Sequence, residues 1–155
     1  MNQIYKLSSI LLLLCSCSLA FAVEETLYRG LGNASTQFSD FKTLKQKGFL
    51  ANKPTIARAD YNDVYMLKKP YTFLGQKFVL LSDEYMSEYV GCCVNEGWGA
   101  VFAKTSDLKK IEQFAQKNQC KIEKMQSNSE YYGYSLSKLG KAEYYELSCR
   151  EGDVE

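Results

Sequence analysis

The residues best equipped for chemistry in this 155-residue chain are its carboxylates and cysteines, because it contains no histidine. That absence removes Ser-His-Asp and Cys-His nucleophile systems, imidazole metal ligands and histidine pH switches. Acids gather as Asp60 and Asp63 around Tyr61-Asn62, and as Asp83, Glu84 and Glu88 ahead of a cysteine pair. Two carboxylates can run glycoside hydrolysis. No spacing here sets their separation, and solvated surface acids are the simpler reading. A calcium loop needs the D-x-[DN]-x-[DN]-G pattern, which is absent. Gly91 and Gly97-x-Gly99 lack the strand-to-helix setting of a phosphate loop, and no G-K-[ST] follows them. The sequence therefore predicts no catalytic residue, no metal and no cofactor, and the chain reads as a non-enzyme.

Cysteine usage points to staples. Cys15 and Cys17 fall in the leader described below, which leaves Cys92, Cys93, Cys120 and Cys149. An even number in an exported chain reads as a disulfide set. Cys92 and Cys93 lie in the strand-like run Tyr89–Val94, where neighbouring side chains point to opposite faces. Joining them to each other would require a strained ring. The expectation is that each takes a distant partner, one pairing with Cys120 and the other with Cys149, in an order the sequence leaves open. A redox dithiol would show Cys-x-x-Cys at a helix N-terminus, and a zinc site would show paired knuckles; neither pattern is present.

Export is read from the first 22 residues. Lys6 gives a short positive n-region, an apolar run follows from Ile10 to Leu19, and Ala20-Phe21-Ala22 offers a cleavage site. This is the layout of a signal peptide cleaved after Ala22, so residues 23–155 form the single expected domain. The run is too short and broken for a spanning helix. Leu14-Cys15-Ser16-Cys17 partly matches a lipobox, and a lipid anchor at Cys17 is the minority alternative. Removing residues 1–22 leaves eighteen groups of each sign. That zero balance predicts no field steering the chain to a membrane or to nucleic acid. Asn33-Ala34-Ser35 matches a glycosylation sequon, which has meaning only in a eukaryotic secretory host.

Aromatic residues are the remaining candidates for contact. Tyr131, Tyr132, Tyr134, Tyr144 and Tyr145 fall in the last strand-like pair of runs. Adjacent tyrosines cannot share a sheet face, so one set is expected in the core and the other at the surface, where Tyr is an efficient contact residue. Cross-strand pairing in an edge hairpin is the plainer explanation. Trp98, between Gly97 and Gly99, reads either as a protruding anchor or as a core residue.

The elements that must position these residues alternate between sheet and helix. An N-terminal helix is expected near 36–47, with Phe38, Phe41 and Leu44 on one face and Gly48 as its stop. Strand-like runs follow at Thr55–Ala59, Val64–Leu67 (ended by Lys68-Lys69-Pro70), Tyr71–Leu74 and Lys77–Leu81 around Gly75, and Trp98–Ala103 after a turn at Asn95-Glu96-Gly97. The main helix is expected near 106–118, capped by Thr105 or Ser106, with Leu108, Ile111, Phe114 and Ala115 on its core face. Cys120 then stands ready to bolt the helix end to the sheet. Lys121–Met125 is a short strand. Tyr131–Ser137 and Ala142–Cys149 are expected to form a hairpin, and Arg150–Glu155 a frayed tail. Together these predict a disulfide-stapled α+β domain with a mostly antiparallel sheet, the OB-type partly open barrel being a variant. The function expected is that of a small periplasmic or secreted bacterial envelope protein that binds another protein without catalysis, as an inhibitor or immunity-type protein would. The alternative is a small-ligand or polysaccharide binder using a tyrosine face.

Overall fold

The structure is a computed structural model that describes residues 41–84, 97–150 and 153. The leader over 1–22, the sequon at Asn33, Glu88, the run Tyr89–Val94 with Cys92 and Cys93, and most of the C-terminal tail lie outside the described residues.

The strand-prone runs form one six-stranded antiparallel sheet. β1 (Ile56–Ala59), β2 (Asn62–Phe73) and β3 (Gln76–Glu84) follow one another as hairpins. Their turns are two-residue pairs with positive φ: Asp60 (48°) with Tyr61 (61°), and Leu74 (50°) with Gly75 (82°). Such turns match the right-handed twist of the flanking strands. Gly75 thus marks a hairpin, whereas Asp60-Tyr61 makes the same turn with no glycine to announce it. β4 (Gly97–Ala103) completes the meander against β3.

Lys68-Lys69-Pro70 does not end β2. Met66 lies opposite Leu80 and Tyr71 opposite Phe78, so three extra residues bulge out of β2 between those pairs. Pro70 has no N–H to give to a ladder, and an interruption of the ladder tolerates it.

After β4 come α2 (Lys109–Lys117) and β5 (Lys121–Met125). β8 (Tyr144–Arg150) inserts antiparallel to both β4 and β5. β4 and β5 therefore run parallel, and the meander ends in a split βαβ unit. This replaces the expected terminal hairpin. Glu130–Tyr131 (β6) and Tyr134–Ser135 (β7) instead pair with each other, and Leu136–Leu139 forms a 3₁₀ turn. The turn between β6 and β7, Tyr132 (φ 44°) and Gly133 (φ 79°), closes that hairpin locally. β8 carries the wholly buried Leu147 and Cys149 and so belongs between two strands in the sheet interior. The sheet is open, with β1 and β5 as its edges, and does not close into a barrel.

Both faces of this sheet are covered. Residues 41–46 are helical (α1), and Phe41 and Leu44 join Tyr65, Trp98, Phe102, Ile111 and Ala115 in one core. Gly48 ends α1 with φ 71°, as a C′ glycine should, and the Phe49 amide folds back to the Leu44 carbonyl at 2.9 Å. Phe114 of α2 meets Phe73 edge to face at 5.0 Å. On the opposite face, Val64, Leu80 and Val101 pack under Tyr131, Tyr134, Leu136 and Tyr144. β4 is buried along its whole length because it lies between these two layers.

Thr105 and Ser106 do not cap α2. Their hydroxyls bond the Gly75 carbonyl at 2.6 and 3.1 Å, and the cap position is Leu108. Asp107 Oδ1 accepts from the Lys109 amide at 3.0 Å. Gln76, wholly buried, donates to Ser106 Oγ and the Asp107 carbonyl, which ties the β2–β3 turn to the start of the helix.

The disulfide pairing also differs from expectation. Lys121 stands opposite Ser148, so the next residues outward, Cys120 and Cys149, face each other with Cα atoms 4.3 Å apart and are bonded. Neither is then available to Cys92 or Cys93. The role expected of Cys120, fastening the end of α2 to the sheet, is what this bond does.

Candidate binding cleft

A cleft of about 690 Å³ opens between α1, the loop 52–54, the start of β2 and the end of β3. Alternation along β2 sends Asp63 and Tyr65 to the same side. Asp63 is directly opposite Asp83 across the ladder, so two carboxylates stand side by side on the cleft floor, 9% and 4% exposed. α1 contributes Phe41, Lys42, Lys45 and Gln46, and Asn52, Lys53 and Pro54 close the remaining side. Lys45 Nζ donates to Tyr65 Oη at 3.0 Å and lies 4.5 Å from the ring centroid. The Phe41 and Tyr65 rings meet at 5.8 Å. Asp63 Oδ1 accepts from the Arg58 amide at 3.0 Å. The cleft therefore offers acceptors on its floor, ammonium donors on its rim and apolar ring surface between them.

Burial, reinforced by Asp63 and Asp83, pushes the Tyr65 phenol up from 10.0 to about 12. Tyr131 is raised further, chiefly by burial. Both folded values lie above the unfolded one, so the unfolded chain loses these protons first. Stability is expected to fall as pH rises past about 10 and to keep falling through about 12. A phenolate absorbance titration of the folded protein checks this. Tyr65 and Tyr131 should resist ionisation until the chain unfolds, and uniform titration near 10 would contradict it.

The remaining sequence candidates are dispersed. Asp60 sits exposed in the β1–β2 turn, and Glu84 points to the other sheet face. Trp98, Tyr131, Tyr134 and Tyr144 are 2%, 2%, 5% and 4% exposed. They are core side chains in this fold rather than surface anchors. The large Trp98 ring fills the helix-side core, and Tyr131, Tyr134 and Tyr144 fill the other layer. Tyr132 and Tyr145 are half-buried. The Tyr132 ring lies 5.2 Å from the Arg150 guanidinium carbon, and Tyr145 stacks on Phe102 at 5.6 Å. Lys42, Lys45, Lys53 and Tyr65 were not singled out from sequence. The one signal was the lysines flanking Phe41 and Leu44 on a short amphipathic helix.

Arg150, expected in a frayed tail, ends β8 at 5% exposure. Its Nε is 3.0 Å from Glu84 Oε2. Its Nη2 donates to Ser82 Oγ at 2.6 Å and Asn62 Oδ1 at 3.1 Å, and Nη1 donates to Ser148 Oγ. Tyr131 Oη lies 2.6 Å from Ser82 Oγ. The network seats the β6–β7 hairpin on the sheet.

Among the described residues no group of three or more Cys, Asp or Glu could hold a metal ion. None of their helices is long and apolar enough to cross a membrane. The chain matches no protein-family model, no curated protein and no solved structure.

Proposed function

We propose that this is an exported, non-catalytic binding protein of the bacterial envelope, and that the cleft beside α1 is its recognition site. The concavity itself carries the reading. Small-ligand sites are concave, with apolar walls and a few placed polar groups, and this cleft combines Phe41, Tyr65 and Pro54 with Asp63, Asp83 and three lysines. A protein-binding role of inhibitor or immunity type has less support, because most of the aromatic side chains suited to gripping a partner are inside the core. A small polar ligand with both hydroxyl or amino groups and acidic groups fits the lining, and cell-wall saccharides have that chemistry.

Calorimetric titration with soluble cell-wall oligosaccharides tests this. Saturable binding is expected. It should weaken at least roughly tenfold in Asp83→Asn and in Lys42→Glu, for a lost charge-assisted hydrogen bond in each. Absence of binding in the parent protein, or binding that neither substitution changes, would overturn the assignment.

A further inference from the structure

We propose that the face around the β2 bulge docks onto anionic lipid headgroups. Over residues 41–84 the chain carries seven lysines and one arginine against four acids. Three of those acids, Asp63, Asp83 and Glu84, are buried. Asp60 is the one exposed acid of this stretch, whereas Lys42, Lys47, Lys53, Lys68, Lys69 and Lys77 are all exposed. A net charge of only +1 over the whole chain hides this segregation, because it counts buried and exposed groups alike.

Lys47, Lys68, Lys69 and Lys77 form one surface. Lys69 Nζ donates to the Lys47 carbonyl at 2.9 Å, and the Lys68 amide donates to the Phe49 carbonyl at 2.9 Å. The end of α1 and the β2 bulge are thereby held together. Lys68, Lys69 and Lys77 surround a shallow depression of about 290 Å³ that also contains Met66 and Pro70. Met66 is 40% exposed and is the exposed large hydrophobic among the described residues. A soluble acidic polypeptide would engage the lysines and has no use for an apolar tip. A bilayer interface takes both, with ammonium groups at the phosphates and the apolar side chain at the acyl boundary. Lys47, Lys68, Lys69, Lys77 and Met66 do not line the cleft, so this docking stands or falls independently of its ligand.

Co-sedimentation of the intact, oxidised chain with vesicles tests the proposal. One set is equimolar phosphatidylglycerol and phosphatidylcholine, the other phosphatidylcholine alone. Binding is expected to the anionic set alone and to be released by molar salt. It should fall at least roughly tenfold in the double variant Lys68→Glu/Lys77→Glu, and measurably in Met66→Ser, with circular dichroism unchanged. Equal binding to both vesicle sets, or none to the anionic set at low salt, would overturn it. So would tight capture of soluble polyglutamate with Met66→Ser as good as the parent, which would reassign the face to an acidic protein.

Discussion

Arg150→Leu is expected to destabilise the protein by about 3–5 kcal/mol, the usual cost of removing one partner from a buried charge network. Glu84, 6% exposed, would be left without its guanidinium, and the groups on Asn62, Ser82 and Ser148 would each lose a donor. For a chain of this size the melting temperature should drop by roughly 10 °C or more. The double variant Arg150→Met/Glu84→Leu should recover much of the loss, because no buried charge is then stranded. Gly99→Ala should damage the same place from the other side. A Cβ there would lie 2.4 Å from Tyr131 Oη and 2.5 Å from Arg150 Nη2, and overpacking of this kind costs about 1–3 kcal/mol. Denaturant unfolding measures all three. A parent-like midpoint for Arg150→Leu would mean that the network is not formed in solution.

Removing the Cys120–Cys149 bond is the second large effect. The cysteines are 29 residues apart, and closing a loop of that length restricts the unfolded chain by about 3.5 kcal/mol in the chain-entropy description. The double variant Cys120→Ala/Cys149→Ala should therefore lose about 3–4 kcal/mol. A further contribution comes from Cys149, which is wholly buried in the core that contains Trp98. The pairing is checked directly by digesting unreduced protein with trypsin. Residues 118–121 and 142–150 should appear as one cross-linked species that separates on reduction. A link from either segment to the peptide containing Cys92 and Cys93 would refute the pairing.

The cleft shows where sequence reasoning reaches and where it stops. Asp63 and Asp83 were visible as acids in two separate clusters, but their meeting depends on the register of β2 against β3. That register is set by the Leu74-Gly75 turn and by a bulge that absorbs Lys68-Lys69-Pro70. Gly75 announces the turn, but the bulge has no signature that composition shows. Trp98 gives the converse case. Its glycine neighbours leave both an anchor and a core position open in the sequence, and the space at Gly97 and Gly99 lies on the opposite face and holds Arg150 and Tyr131. Alternation along a strand makes a glycine informative about its own face and silent about its neighbour's.

By itself the sequence determined that the body is a mostly antiparallel sheet with helices, because hydrophobic period and turn chemistry are local properties. It placed the Gly48 and Gly75 breaks, α2 and the strand at Lys121–Met125, and it showed that a histidine-free chain lacks imidazole chemistry. Tertiary structure alone decided which strand lies beside β4, which cysteine meets Cys120, and which acids are buried beneath a surface of lysines. Those outcomes depend on contacts between residues far apart in the chain, and such contacts are chosen by the joint packing of both sheet faces rather than by any local pattern.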